Sequence, residues 1–195
     1  MSFPGKGPEQ DQGRLGFVGL AERSFSFLSR LGFVVVRRAG TLVRFESSHV
    51  FVNIYHGRSS YVVGLEVGLL PDGKTYSLYE VLHAFAQAEL GRASYQATAV
   101  VELEACLAKV ARTLEVHCRF LLEGGAEAFE RLDRDASVLR RKATMDAQFG
   151  AVRSRGDEAW DAKHWQRALE HYERAEAALS ATQTRRLEFL RKRRP

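Results

Sequence analysis

Six histidines and two cysteines are the residues of this chain best suited to chemistry, and their spacing decides which chemistry is open. The histidines are His49, His56, His83, His117, His164 and His171. A metal centre needs several His, Cys or carboxylate ligands converging at short spacings, and the chain has no HExxH and no CxxC. His164 and His171 can share a helical face, with no third ligand beside them. His117 falls on an apolar helical stripe and reads as a core or boundary histidine. Cys118 adjoins it, but neighbours on a helix point about 100° apart, which suits neither a ligand pair nor a nucleophile with its base. Cys106 and Cys118 would lie roughly 18 Å apart on one helix at about 1.5 Å per residue. That is too far to bridge, so both are expected as free, partly buried thiols. There is no GxSxG, no P-loop and no GxGxxG. The loop His56-Gly57-Arg58-Ser59-Ser60 could hold an anion, although the same residues serve any tight hairpin. No catalytic residue, metal ligand or cofactor is assigned.

Phosphate binding is the other chemistry to weigh. The net charge of +5 is uneven. Residues 1–125 hold 13 basic and 12 acidic residues, and residues 126–195 hold 16 and 12. Arg185, Arg186, Arg191, Lys192, Arg193 and Arg194 crowd the end of the chain, and with Arg58 they are the anion or nucleic-acid candidates; Arg140-Arg141-Lys142 is a second basic run. Such residues contact phosphates with a steep salt dependence. Cations in a last helical turn also complement the helix dipole, and the step Glu188-Phe189-Leu190 interrupts the run as a packed helix would.

The elements that must position these residues begin with a β-rich stretch over 33–69. Its runs are FVVVRRAG, TLVRFESSH, VFVNIYHGRSS and YVVGLEVGLL. Turn-forming residues separate them, so they predict a four-stranded antiparallel meander. In the last run Tyr61, Val63, Leu65, Val67 and Leu69 alternate with Val62, Gly64, Glu66 and Gly68, as one buried face requires. The second face then carries Phe51, Tyr55 and Val62. Aromatics there are either covered by another element or form a binding surface, and cover by the C-terminal helices is the favoured expectation.

Helices are predicted around this sheet. The first runs over about 12–31 and is capped by Gly32. Ser77-Leu78-Tyr79-Glu80 is a capping box opening a helix that Gly91 ends. A longer one spans about 94–123, with Leu103, Leu107, Val110, Leu114, His117 and Leu121 on one stripe. Beyond 125 strand-like runs vanish, and a short helix is expected over about 126–132, a longer one over 136–162, and two more over 165–179 and 181–193. The fold class is α+β: a four-stranded antiparallel meander packed by helices, followed by an all-helical extension. The domains read as 1–12, a disordered lead; 13–125, the sheet domain; and 126–195, the extension. The 45% apolar content suffices for a core without staples. No run of 18 apolar residues or signal-type segment is present, so a cytoplasmic protein without a membrane partner is expected, of bacterial type.

Within the extension, Gly156, Trp165, Ala168, Tyr172 and Ala175 fall in GDEAWDAKHWQRALEHYERAEAAL. This segment resembles a degenerate tetratricopeptide repeat, in which small residues and aromatics alternate along a helical hairpin. The usual first-helix leucine and tyrosine are replaced by Arg155 and Ala159, and the closing proline by Ser180. One repeat of about 34 residues is present where a solenoid needs roughly three, so the hairpin must lean on something else, with the sheet's outer face the candidate. The resemblance implies protein–protein interaction and no catalysis.

The expected function is a non-catalytic protein-binding module of toxin-neutralising or adaptor type, with another protein as partner. Two surfaces compete: Phe51, Tyr55 and Val62 on the sheet, and Trp160, Trp165 and Tyr172 on the hairpin. The alternative is nucleic-acid association through the Arg-rich C-terminal helix. A third, an enzyme around His49, His56 and Arg58, would need a carboxylate or second histidine brought near by the fold.

Overall fold

The computed structural model describes residues 14–90 and 95–193. The proposed lead, the helix stop at Gly91 and the terminal Arg194 lie outside them. The chain is mixed α and β, and its sheet has five antiparallel strands in chain order: β1 (Val34–Ala39), β2 (Leu42–Glu46), β3 (Val50–His56), β4 (Val63–Leu69) and β5 (Thr75–Ser77). The meander of four was thus one strand short. Only three residues of β5 pair, Thr75, Tyr76 and Ser77 opposite Gly68, Val67 and Glu66. A strand this short shows no alternation, and Ser77 is also the cap of the next helix, which masks it.

Register follows side-chain size. Phe45, Val52, Val67 and Tyr76 line up across four strands, and Val43, Ile54 and Leu65 across three. All seven are buried. On the opposite face Arg44, Asn53 and Glu66 line up. Arg44 donates to Glu46 at 2.6 Å and to Asn53 at 3.4 Å, and Asn53 donates to Glu66 at 3.1 Å. This face is a polar ladder with two aromatics let into it. Phe51 pairs with Gly68 and Tyr55 with Gly64. A Cβ on Gly68 would meet the Phe51 ring at 2.6 Å, and one on Gly64 would meet the Tyr55 hydroxyl at 2.5 Å. Each ring therefore lies flat over its glycine.

Helices close the apolar face. They are α1 (Phe17–Ser24), α2 (Leu78–Phe85), α3 (Val100–His117), α4 (Arg119–Leu122) and the start of α5 (Ala126–Asp161). Phe17, Leu20, Val81, Leu107, Leu114, Leu121, Phe129 and Leu132 share one core with the inner strand residues. The first predicted helix breaks at Phe25 into α1 and a 3-10 turn, Ser26–Leu31, before Gly32 in the left-handed region at φ 81°. The long helix predicted over 94–123 begins only at Val100 and breaks at Cys118, whose side chain is fully buried. His117 is exposed there, not in the core: the stripe ends one turn before it. The capping box at Ser77 and Glu80 forms. Residues 126–161 make one unbroken helix where two were expected, because Asp133-Arg134-Asp135 carries no breaker.

Two compact units divide the chain at 136/137, within α5. The second holds the rest of α5, α6 (Trp165–Arg174) and α7 (Ala181–Lys192) around its own small core of Ala159, Ala168, Leu169, Tyr172, Leu187 and Leu190. Gly68 offers a sharp test of the sheet. Gly68→Ala drives its new methyl into the Lys74 carbonyl and the Phe51 ring, and should cost about 1–3 kcal/mol in urea unfolding followed by circular dichroism. Gly150→Ala meets nothing within 4 Å and should gain up to about 1 kcal/mol from helix propensity.

Candidate functional site

The expected sheet patch does not exist as a patch. Phe51 is 3% exposed, lying over Gly68 with the Arg44 guanidinium 4.0 Å from its ring centroid. It has no face left for a partner, which corrects its assignment as a contact residue. Tyr55 and Val62 are half-buried, and Val62 bridges to Gln96. The hairpin at 56–62 is closed by its own hydrogen bonds. The Gly57 N–H donates to the Val62 carbonyl, the Tyr61 N–H to the Gly57 carbonyl and the Val62 N–H to the Ser60 hydroxyl, so these amides are not free to cradle an anion. The His56 ring is buried, with Nε2 at 2.9 Å from the Ala97 carbonyl oxygen and its face against Phe17. His49 precedes β3 and His56 ends it, roughly 23 Å apart at about 3.3 Å per residue. An active site uniting His49, His56 and Arg58 is therefore excluded by strand length. Among the described residues no cluster of His, Cys, Asp or Glu could hold a metal ion. Both cysteines are free, and burial pushes the Cys118 thiol up to about 12, which keeps it protonated and inert.

The C-terminal unit gathers more of the candidates. Its organising group is the Asp157 carboxylate. Tyr172 donates its hydroxyl to Oδ1 at 2.7 Å, Arg186 donates to the same oxygen at 2.7 Å, and Gln183 donates to Oδ2 at 2.7 Å. Three side chains on α6 and α7 thus converge on one group of α5. Gln183 also completes the capping box of α7, its Oε1 accepting from the Ser180 N–H at 3.0 Å. Gly156 admits the Tyr172 ring, which a Cβ would meet at 2.6 Å. Tyr172 is fully buried, so it belongs to the core and is not a contact residue. Burial, then the neighbouring Asp157 carboxylate, outweighs the Arg186 hydrogen bond and pushes its phenol up to about 12.

Above this core the unit exposes aromatic surface. Trp160 packs edge-on against Trp165, centroids 5.2 Å apart, and against Phe189 at 5.8 Å. Trp160 is half-buried, but Trp165 is 42% and Phe189 41% exposed. Lys163 takes the left-handed turn between α5 and α6 at φ 59°, which folds Trp165 back onto Trp160. The Arg186 guanidinium sits 5.0 Å over Trp160 and that of Arg193 4.4 Å over Phe189. Phe189 escaped the sequence reading, where it counted as an apolar step. Its signal was its place off the stripe of Leu187 and Leu190, the buried leucines of α7. Asp157 carried no signal beyond its position next to Gly156.

The basic run divides by use. Arg186 holds Asp157, and Arg191 grips Glu176 with both terminal nitrogens at 2.8 and 2.7 Å. That grip holds the Glu176 carboxyl below its ordinary value. These two cations join helices and are not open phosphate contacts. Arg185 and Lys192 remain exposed on α7, as do Arg193 at its C-terminal cap and Arg58 in its loop. No protein-family model, curated protein or solved structure matches this chain, and no described helix is long and apolar enough to cross a membrane.

The raised Tyr172 phenol has a pH consequence. The unfolded chain loses this proton near pH 10 and the folded unit near 12. The stability it contributes is therefore intact below pH 10 and is lost as pH rises through 12. Tyr172→Phe should cost about 1–2 kcal/mol near neutral pH and should flatten the decline between pH 10 and 12, with Trp160 and Trp165 fluorescence in urea as the readout. Equal slopes in both proteins would assign the alkaline loss to another group.

Proposed function

We propose that this chain is a non-catalytic protein-binding module that makes its contact through Trp160, Trp165 and Phe189. The observation that carries this is the exposure of Trp165 and Phe189 on a cluster fixed from below by the Asp157 network. Tryptophan and arginine dominate energetic hot spots in protein interfaces, and a pre-ordered site loses little entropy on binding. The rim is cationic, with Arg185 and Lys192 exposed on α7 and Arg193 at its C-terminal cap, so the fitting partner presents an apolar anchor flanked by carboxylates. The packing of Tyr172 against Gly156 supports reading 156–180 as one tetratricopeptide-like hairpin, with α7 standing where a second repeat would. A toxin-neutralising or adaptor role would act by occupying such an acidic partner.

Phosphate binding by the same cations is the competing account, and one experiment separates the two. Tagged protein is captured from its native host with nuclease present and at high salt, in parallel with the double variant Trp165→Ala/Phe189→Ala. A stoichiometric protein recovered with the native chain and lost by at least tenfold with the variant, at an unchanged thermal midpoint, is the expected result. Bound material removed by nuclease or salt and retained by the variant would transfer the function to the basic helix.

A further inference from the structure

Strand β4 has two successive edge partners and a gap between them. Residues 66–68 pair with β5. Residues 61–63 pair with the segment after Leu90: the Val63 N–H donates to the Tyr95 carbonyl at 2.6 Å, the Ala97 N–H donates to the Tyr61 carbonyl at 2.8 Å, and Val62 bridges to Gln96. Between the two, at Gly64, lies a cavity of about 450 Å³. Its walls come from the sheet edge, from the first turns of α2 and from Leu90 and Tyr95. The size falls within the range of roughly 300–1,000 Å³ typical of small-molecule sites.

The lining chooses among ligands. Tyr55, Val62, Leu82, Leu90 and Tyr95 give an apolar, partly aromatic surface, and among the described residues no Asp, Glu, Lys, Arg or His lines it. A phosphate, carboxylate or ammonium entering there would lose water without finding a counter-charge among them. The lining also carries the hydroxyls of Tyr55, Tyr79, Tyr95 and Ser77, the last donating to Glu80 at 2.9 Å. The Tyr55 and Tyr95 hydroxyls have no hydrogen-bond partner among the described residues, and the Tyr55 hydroxyl is held over Gly64 by the absence of a Cβ there. Burial, reinforced by Glu66 for Tyr55 and by Glu89 and Cys106 for Tyr95, raises both phenols above their ordinary value. Both therefore remain neutral donors across the physiological range.

We propose that this cavity, at the β4 edge of the sheet unit, binds an uncharged, flat apolar molecule of about two fused rings bearing a hydrogen-bond acceptor, which the Tyr55 and Tyr95 hydroxyls address. The site uses none of Trp160, Trp165 and Phe189, so this proposal and the protein-binding one can each fail without the other.

The test is a titration with the neutral naphthyl ketone 6-propionyl-2-(dimethylamino)naphthalene, whose emission reports polarity. The full-length protein should bind it saturably at one site, with a blue shift. Leu90→Trp and Val62→Phe, which fill the cavity from two sides, should each weaken binding at least tenfold at an unchanged thermal midpoint. Tyr95→Phe should weaken it roughly threefold to tenfold, one neutral hydrogen bond. Uncharged 2-acetonaphthone should displace the probe and 2-naphthoate should not, a comparison that needs no variant. Trp165→Ala should leave the titration unchanged. Absence of saturable binding, equal displacement by naphthoate, binding indifferent to both filling variants, or loss in Trp165→Ala would each overturn the proposal.

Discussion

A five-stranded meander in chain order must hide one apolar face, and most of the sheet unit is arranged to meet that constraint. Inward rows such as Phe45, Val52, Val67 and Tyr76 are continuous across the strands, so cover must also be continuous. Segments before and after the strands supply it: Phe17 and Leu20 from α1, Val81 and Leu82 from α2, Leu107 and Leu114 from α3, and Phe129 and Leu132 from α5. The other face needs no cover. Its two aromatics are laid over glycines, and Arg44, Asn53 and Glu66 form a polar ladder between them. The cavity beside Gly64 follows from the same arrangement, because β5 pairs with only three residues of β4 and leaves the rest of that edge to other segments.

The C-terminal unit solves a smaller problem by different means. Its core is small, six buried side chains among the described residues with Trp160 and Leu179 packed against them, and a polar interaction supplements it. Asp157 is a carboxylate met by a phenol, an amide and a guanidinium. Charge-assisted hydrogen bonds of this kind are stronger and more directional than neutral ones. They fix α6 and α7 on α5 at a defined rotation, and that rotation turns Phe189 toward Trp160. Arg186 serves twice, as a donor to Asp157 and as a cation over Trp160. A network that sets core geometry and positions surface aromatics is a reasonable basis for a preformed binding site.

Much of the fold was legible in the residues. Alternation in β4, the glycine after Leu31 and the capping boxes at Ser77 and Ser180 each express a local rule, and local rules survive without knowledge of partners. What escaped depended on distant residues. β5 is three residues long and defined only by its neighbour. The break at Cys118 reflects a side chain drawn into the core. Phe51 and Tyr172 have the composition of contact residues, yet Gly68 and Gly156 make room to bury them. The same limit hid Asp157 and Phe189, since a carboxylate with three donors and an aromatic beside two tryptophans are properties of helix packing. The pair Trp160 and Trp165 was visible because both flank one short turn.

The central claim is that the Trp160, Trp165 and Phe189 surface meets another protein. Site-specific photocrosslinking in the native host addresses it most directly, with p-benzoylphenylalanine placed at position 189 and, as a control, at Val101, an exposed residue of α3. The account predicts one dominant protein adduct from position 189 and none from 101, unchanged by nuclease treatment. Adducts only to nucleic acid, or the same adducts from both positions, would contradict it.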